Sequence, residues 1–126
     1  MQQTRPMHLA LWRIKLPATG YVSILHRISG MLMVLAIPVG AVLLDLAVSG
    51  PEGFAASAAF LDNWLVRLVL LALTWSLLHH LFAGIRYLLI DLRIGLDRDS
   101  SRRSALFAIS AAIVALALVL FVGAFQ

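Results

Sequence analysis

Three long stretches of this chain carry no charged side chain, and that pattern decides the solvent in which it folds. Residues 28–44 give 17 such positions between Arg27 and Asp45, and residues 68–85 give 18 between Arg67 and Arg86. After Arg103, residues 104–126 give 23 more. About 20 apolar residues cross the hydrocarbon core of a bilayer, and snorkelling flanks make up a shortfall. The composition agrees, at 62% hydrophobic and 13% charged over 126 residues with a mean hydropathy of +0.97. A soluble domain of this length could not hide so much apolar side chain. The expected fold is all-α: an integral, multi-pass membrane protein with three transmembrane helices in a single domain over 1–126.

Charges and turn residues bracket these helices at about 21–48, 64–92 and 103–125. Pro38 and Gly84 fall inside spans, where the membrane tolerates them as kinks or close contacts. Residues 1–20 alternate basic with apolar residues, and Pro6 and Pro17 discourage a continuous helix, so an extended interfacial segment is expected. His8 and Trp12 belong to that interface. Ser49-Gly50-Pro51 reads as a turn, followed by a short surface helix from Phe54 to Phe60. Residues 97–103 read as a hydrophilic turn whose serines could cap the third helix. Basic residues precede the first span by too much chain for a cleavable signal peptide.

The basic residues also orient the chain. Arg5, Arg13, Lys15 and Arg27 precede the first core, and Arg86, Arg93, Arg98, Arg102 and Arg103 surround the second connection. The first connection holds only Arg67, beside Asp45, Glu52 and Asp62. The positive-inside rule therefore puts the N-terminus and second connection inside and the C-terminus outside. Because these charges flank apolar runs and form no stripe, the net charge of +4 does not suggest nucleic acid. The absence of cysteine excludes disulfides, thiolate chemistry and iron–sulfur ligation by this chain.

Polar side chains inside the spans mark candidate chemistry. His80 lies in the second span beside His79, with Ser76 four positions before it and Gly84 four after. Ionisable groups at such depth are costly and usually face the bundle interior for a purpose. Small residues one turn away on either side leave a shallow trough that suits a flat group such as haem. Adjacent histidines point about 100° apart on a helix, so at most one faces such a group. By spacing, His79 shares its face with Trp75, Ala83 and Arg86. In the first span, Ser23, His26, Arg27 and Gly30 fall at i, i+3, i+4 and i+7, along one side of a helix. With antiparallel spans they stand at a depth close to that of His80, and a guanidinium there suits a haem propionate.

These residues carry a family resemblance. Arg5-Pro6, the string Ser23-Ile24-Leu25-His26-Arg27-Ile28-Ser29-Gly30, and His80-Leu81-Phe82-Ala83-Gly84-Ile85-Arg86 with Asp91 resemble the cytochrome b membrane anchor of succinate dehydrogenase, the larger of its two anchor chains. Pro51-Glu52-Gly53-Phe54 extends the likeness into the first connection, so that it covers nearly the whole chain. The resemblance implies a four-subunit succinate:quinone oxidoreductase of the tricarboxylic acid cycle, in a bacterial inner membrane. A flavoprotein oxidises succinate, an iron–sulfur subunit relays the electrons, and two anchors bind one shared haem b and reduce quinone. It implies that His80 is the axial ligand of the haem iron, that His26 and Arg27 contact a propionate, and that Ser23 and Arg27 hold quinone. The second anchor then supplies the other iron ligand, and this chain alone has no catalytic residue. Two positions depart from the family: Tyr87 replaces a common histidine, and Ile90 stands where an aromatic or methionine often precedes the aspartate.

Residue by residue, plainer readings exist. Spacing alone leaves His80 open to being a hydrogen-bonded packing residue, Ser23 a helix-start or back-bonding serine, Arg27 a snorkelling flank and Arg86 a topology charge within reach of a propionate. Two other functional classes compete: a haem-free structural anchor of a related complex, and a small transporter. The transporter reading requires a carboxylate deep in the membrane, whereas Asp45 and Asp91 stand at span ends.

Overall fold

The computed structural model describes residues 15–124, and all regular structure within them is helical. Residues 1–14, including His8, Trp12 and most of the expected interfacial segment, lie outside the described residues. Four helices follow in order: α1 Ala18–Val48, α2 Pro51–Asp62, α3 Trp64–Asp91 and α4 Arg98–Gly123. Helices α1, α3 and α4 have 31, 28 and 26 residues and are long and apolar enough to cross a membrane. At 1.5 Å per residue each exceeds the roughly 30 Å of hydrocarbon.

Local chemistry sets the boundaries. Pro17 is extended (φ −67°, ψ 160°) and α1 starts immediately after it. Pro38 sits within α1 without ending it. Gly50 takes φ 143°, which side-chain-bearing residues rarely adopt, and Pro51 then opens α2 at a position where its missing N–H costs nothing. The corner is so tight that a Cβ on Gly53 would strike the Leu46 carbonyl and the Ser49 hydroxyl. Ser57 is buried and donates to the Leu43 carbonyl at 3.3 Å, tying α2 back onto α1. The surface helix expected at 54–60 is thus a longer one, fixed to the first span.

Asn63 separates α2 from α3 and caps the latter, its side chain accepting from Leu65 N at 2.9 Å. At the other end of α3 the chain turns with Arg93 left-handed (φ 62°). Arg93 N donates to Ile90 O at 2.8 Å and Ile94 N to Leu89 O at 3.0 Å. That pairing is a Schellman stop, with arginine where glycine is usual. Helix α4 begins at Arg98, five residues before the expected 103, because Asp97 is its cap and accepts from Ser100 N at 2.9 Å. Hydrogen bonding holds the Asp97 carboxyl below its ordinary pKa, first through the Ser100 backbone N–H. Ser100, Ser101 and Ser104 are therefore helical residues, and none of them is the cap.

Helix α3 packs against both α1 and α4, which also touch each other. The core where they meet contains Val22, Ala83 and Ala105, with Ala18, Tyr87 and Ile109 around it. Ala105, Ala108 and Ala112 are buried along α4, and such small side chains let membrane helices approach closely. Large apolar side chains such as Leu35, Leu77, Phe107 and Phe121 stay exposed, as expected where lipid or another chain is the solvent.

Candidate functional site

Near one end of the bundle, α1 and α3 exchange histidines across a glycine pair. On α1 His26 precedes Gly30 by one turn, and on α3 His80 precedes Gly84 by one turn. A Cβ on Gly30 would lie 3.1 Å from His80 Cε1, and a Cβ on Gly84 would lie 3.6 Å from His26 Nε2. Each glycine therefore makes room for the imidazole of the other helix. The two rings stack with centroids 3.9 Å apart and planes 14° from parallel. The Tyr87 ring meets His26 edge-on at 5.2 Å. The trough expected between Ser76 and Gly84 for a flat group is not left open: beside Gly84 stands the His26 ring.

His80 is held through one nitrogen. Its Nδ1 lies 3.1 Å from the His26 carbonyl oxygen and 3.2 Å from Ser29 Oγ. A carbonyl can only accept, so this contact puts a proton on Nδ1, and in the neutral ring the lone pair is then on Nε2. Ser29 is buried and donates its own hydroxyl to the same carbonyl at 2.9 Å. Nε2 makes no hydrogen bond among the described residues and is not enclosed. A neutral imidazole with an oriented N–H and an open lone pair is the usual form of a metal-ligating histidine.

His79 is placed quite differently. It is fully buried, stacks on Trp75 at 5.2 Å, and has both ring nitrogens enclosed without a hydrogen-bond partner of normal geometry. Ser76, expected on the His80 face, is buried with His79, Ala83 and Arg86 instead, and its hydroxyl is likewise unpartnered. On a helix, position 76 lies about 40° from the direction of His80, enough for packing to turn it inward. The small residue against His80 is Gly30 on the opposite helix, whereas Gly84 on its own helix faces His26.

The α1 cluster divides as well. Ser23, His26 and Gly30 are half-buried, whereas Arg27 is exposed at the edge of that face. Neither Ser23 nor Arg27 has a hydrogen bond or ion pair among the described residues, so both the hydroxyl and the guanidinium are available. Ser29 is the functional-looking residue that spacing missed, although its place three residues after His26 could have flagged it. Arg86 faces α4 instead, donating to Ser104 Oγ at 3.0 Å and to the carbonyl and hydroxyl of Ser101 at 3.2 and 3.0 Å. A reach from Arg86 to a propionate beside His80 has no support in that orientation.

Comparison with known proteins gives a consistent result. The family model described as "Succinate dehydrogenase/Fumarate reductase transmembrane subunit" matches residues 1–120. A protein of Paracoccus denitrificans named succinate dehydrogenase cytochrome b556 subunit is 34% identical over 119 residues, covering 93% of this chain and 92% of that one. A protein of the same name from Coxiella burnetii is 33% identical over 119 residues, covering 94% and 95% respectively.

Proposed function

The chain belongs to the succinate dehydrogenase/fumarate reductase transmembrane-subunit family, and on that premise we propose that it is the cytochrome b-type membrane anchor of succinate dehydrogenase, holding haem b and the quinone that accepts electrons from succinate. It is a subunit of an enzyme and not an enzyme by itself. Its partners are the flavoprotein, the iron–sulfur subunit and a second small anchor. Its place is a bacterial inner membrane, with the N-terminus and the α3–α4 connection on the side of the two soluble subunits.

The observation that carries the haem reading is the state of His80. Nδ1–H donates to the His26 carbonyl, and Ser29 steadies that carbonyl, so the Nε2 lone pair is both free and aimed by its surroundings. His79 offers no such lone pair, since both its nitrogens are enclosed in the bundle. The His26 ring stacks on the face of the His80 ring, so these two imidazoles would not hold one iron between them. On the same reading one haem is shared with the second anchor, which would contribute the other imidazole. Haem, when bound, supplies one-electron exchange at its iron, while this chain supplies position and electrostatics.

The quinone reading rests on Ser23 and Arg27, one turn apart at the start of α1. Reduction builds negative charge on the quinone oxygens. A hydroxyl that donates and a cation that stays charged both stabilise it there. Arg27 is exposed and without a partner among the described residues, so it can serve a propionate or a quinone oxygen. A reduced-minus-oxidised spectrum of the purified complex tests the reading: a b-type spectrum is expected, and its absence would favour the haem-free structural anchor.

A further inference from the structure

Arg86 is the only arginine or lysine buried among the described residues, at 6% exposure, and no carboxylate answers its charge. Its acceptors are all neutral: the Ser104 hydroxyl, and the carbonyl and hydroxyl of Ser101. The six acidic side chains of the protein are Asp45, Glu52, Asp62, Asp91, Asp97 and Asp99. All lie within the described residues, and their one ion pair joins Asp62 to Arg67 at the far end of α3. An enclosed charge without a counter-charge is strongly disfavoured, so this guanidinium calls for an anion from outside the chain. Arg98, Arg102 and Arg103 follow along α4, whose N-terminal end is already capped by Asp97 and carries Asp99 in its first turn.

The space beside Arg86 defines what kind of anion fits. A groove of about 200 Å³ runs between α3 and α4, with Arg86 and Ser104 in its wall and Phe82, Ile85, Leu89 and Phe107 along its length. Phe82, Ile85 and Leu89 stand on the other side of α3 from His80, Gly84 and Tyr87, so the groove is separate from the histidine pair. The Tyr87 ring lies 5.3 Å from the guanidinium carbon and covers another flank of the cation. Arg86 is five residues from the end of α3, roughly 7.5 Å along the axis, which is within reach of a headgroup. A small soluble anion would leave the apolar length of the groove unfilled.

We infer that Arg86 and the α3–α4 groove form a binding site for an anionic phospholipid, the phosphodiester meeting the guanidinium and one acyl chain lying along Ile85, Leu89 and Phe107. Basic pockets between transmembrane helices bind lipid head groups in this manner. The site asks nothing of haem or quinone, so it stands or falls separately from the reading above.

The purified complex, stripped of lipid in detergent, is titrated with phosphatidylglycerol or phosphatidylcholine of the same acyl chains while native mass spectrometry counts the adducts. One phosphatidylglycerol should be held about tenfold more tightly than phosphatidylcholine, consistent with one basic side chain meeting net negative charge. Arg86→Gln should abolish that preference, and Leu89→Trp, which fills the groove with apolar bulk, should weaken the same adduct about tenfold. Should Arg86→Gln fail to assemble, Leu89→Trp decides alone. Equal affinity for the two lipids would overturn the site, as would an unchanged adduct in Leu89→Trp. Displacement by millimolar inorganic phosphate would overturn it too, by showing that a free anion suffices.

Discussion

The His26 ring of α1 lies flat on the His80 ring of α3, with centroids 3.9 Å apart and planes 14° from parallel. The stacking is possible because each helix carries glycine one turn beyond its own histidine, exactly where the other ring must fit. The two glycines are not equivalent. A Cβ at Gly30 would press on His80 Cε1 at 3.1 Å, and His80 is pinned by two oxygens at Nδ1 and cannot easily give way. At Gly84 the same atom would meet His26 Nε2 at 3.6 Å, an ordinary contact. Gly30→Ala should therefore shift the haem spectrum or midpoint potential and cost about 1 kcal/mol or more of stability through overpacking. Gly84→Ala should do neither. Equal effects, measured on the assembled complex by potentiometric titration and thermal unfolding, would show that the reciprocal fit does not position His80.

The proposed quinone contacts are separable from succinate oxidation. Ser23→Ala should reduce succinate–quinone activity at least about tenfold, a modest value for loss of one donor to a developing oxyanion. Electron transfer from succinate to a soluble artificial acceptor should be unchanged. Arg27→Leu should lower quinone activity too, and if the guanidinium also serves a propionate the haem spectrum shifts with it. Normal quinone kinetics in fully assembled Ser23→Ala would move the quinone site off this face of α1.

Orientation can be tested with two cysteines, because the natural chain has none. Ser57 and Ser101 are unsuitable positions, since the first is buried against α1 and the second binds Arg86. Ala55 and Asp99 are exposed neighbours. Ala55→Cys should label with an impermeant maleimide from the outer side and Asp99→Cys from the inner side. Labelling of both from one side would contradict three crossings.

The cap of α4 gives a pH dependence with a definite sign. Asp97 accepts from Ser100 N, and its carboxyl titrates below the ordinary 3.8. A carboxylate whose folded pKa is lowered contributes fully above its unfolded value and is lost as the pH falls through the folded one. Protection of the Ser100 amide from hydrogen exchange should therefore decline in strongly acidic solution relative to Asp97→Asn, which caps without titrating. Parallel behaviour of the two proteins down to pH 2.5, a test value about a unit below the usual range, would show that the charge plays no part.

Much of the architecture is legible in the sequence because charges bracket each span and few alternatives exist in lipid. The end of α3 at Asp91 falls one residue from the expected 92, whereas α1 starts at Ala18, directly after Pro17 and three residues before the expected 21. The start of α4 was not legible, since Arg98 to Ser104 reads as a polar loop until Asp97 is recognised as a cap. His80 stands out by its type and depth. Its neighbours do not: Ser29 reaches it from 51 positions away, and Ser76 is buried in the bundle through a packing choice that period alone leaves open. Arg86 reads as a topology charge because its serine acceptors lie on another helix, which only the α3–α4 contact brings near.

The central claim is that His80, and not its neighbour His79, ligates the haem. His79→Leu replaces an enclosed ring, stacked on Trp75 and with neither nitrogen in a hydrogen bond of normal geometry, by an apolar side chain, which a bundle interior tolerates. His80→Ala removes the one imidazole whose Nε2 lone pair is free and oriented. Reduced-minus-oxidised spectra of the two assembled variants should be lost or strongly altered for His80→Ala and retained for His79→Leu. An unchanged b-type spectrum in His80→Ala, or its loss in His79→Leu alone, would contradict the account.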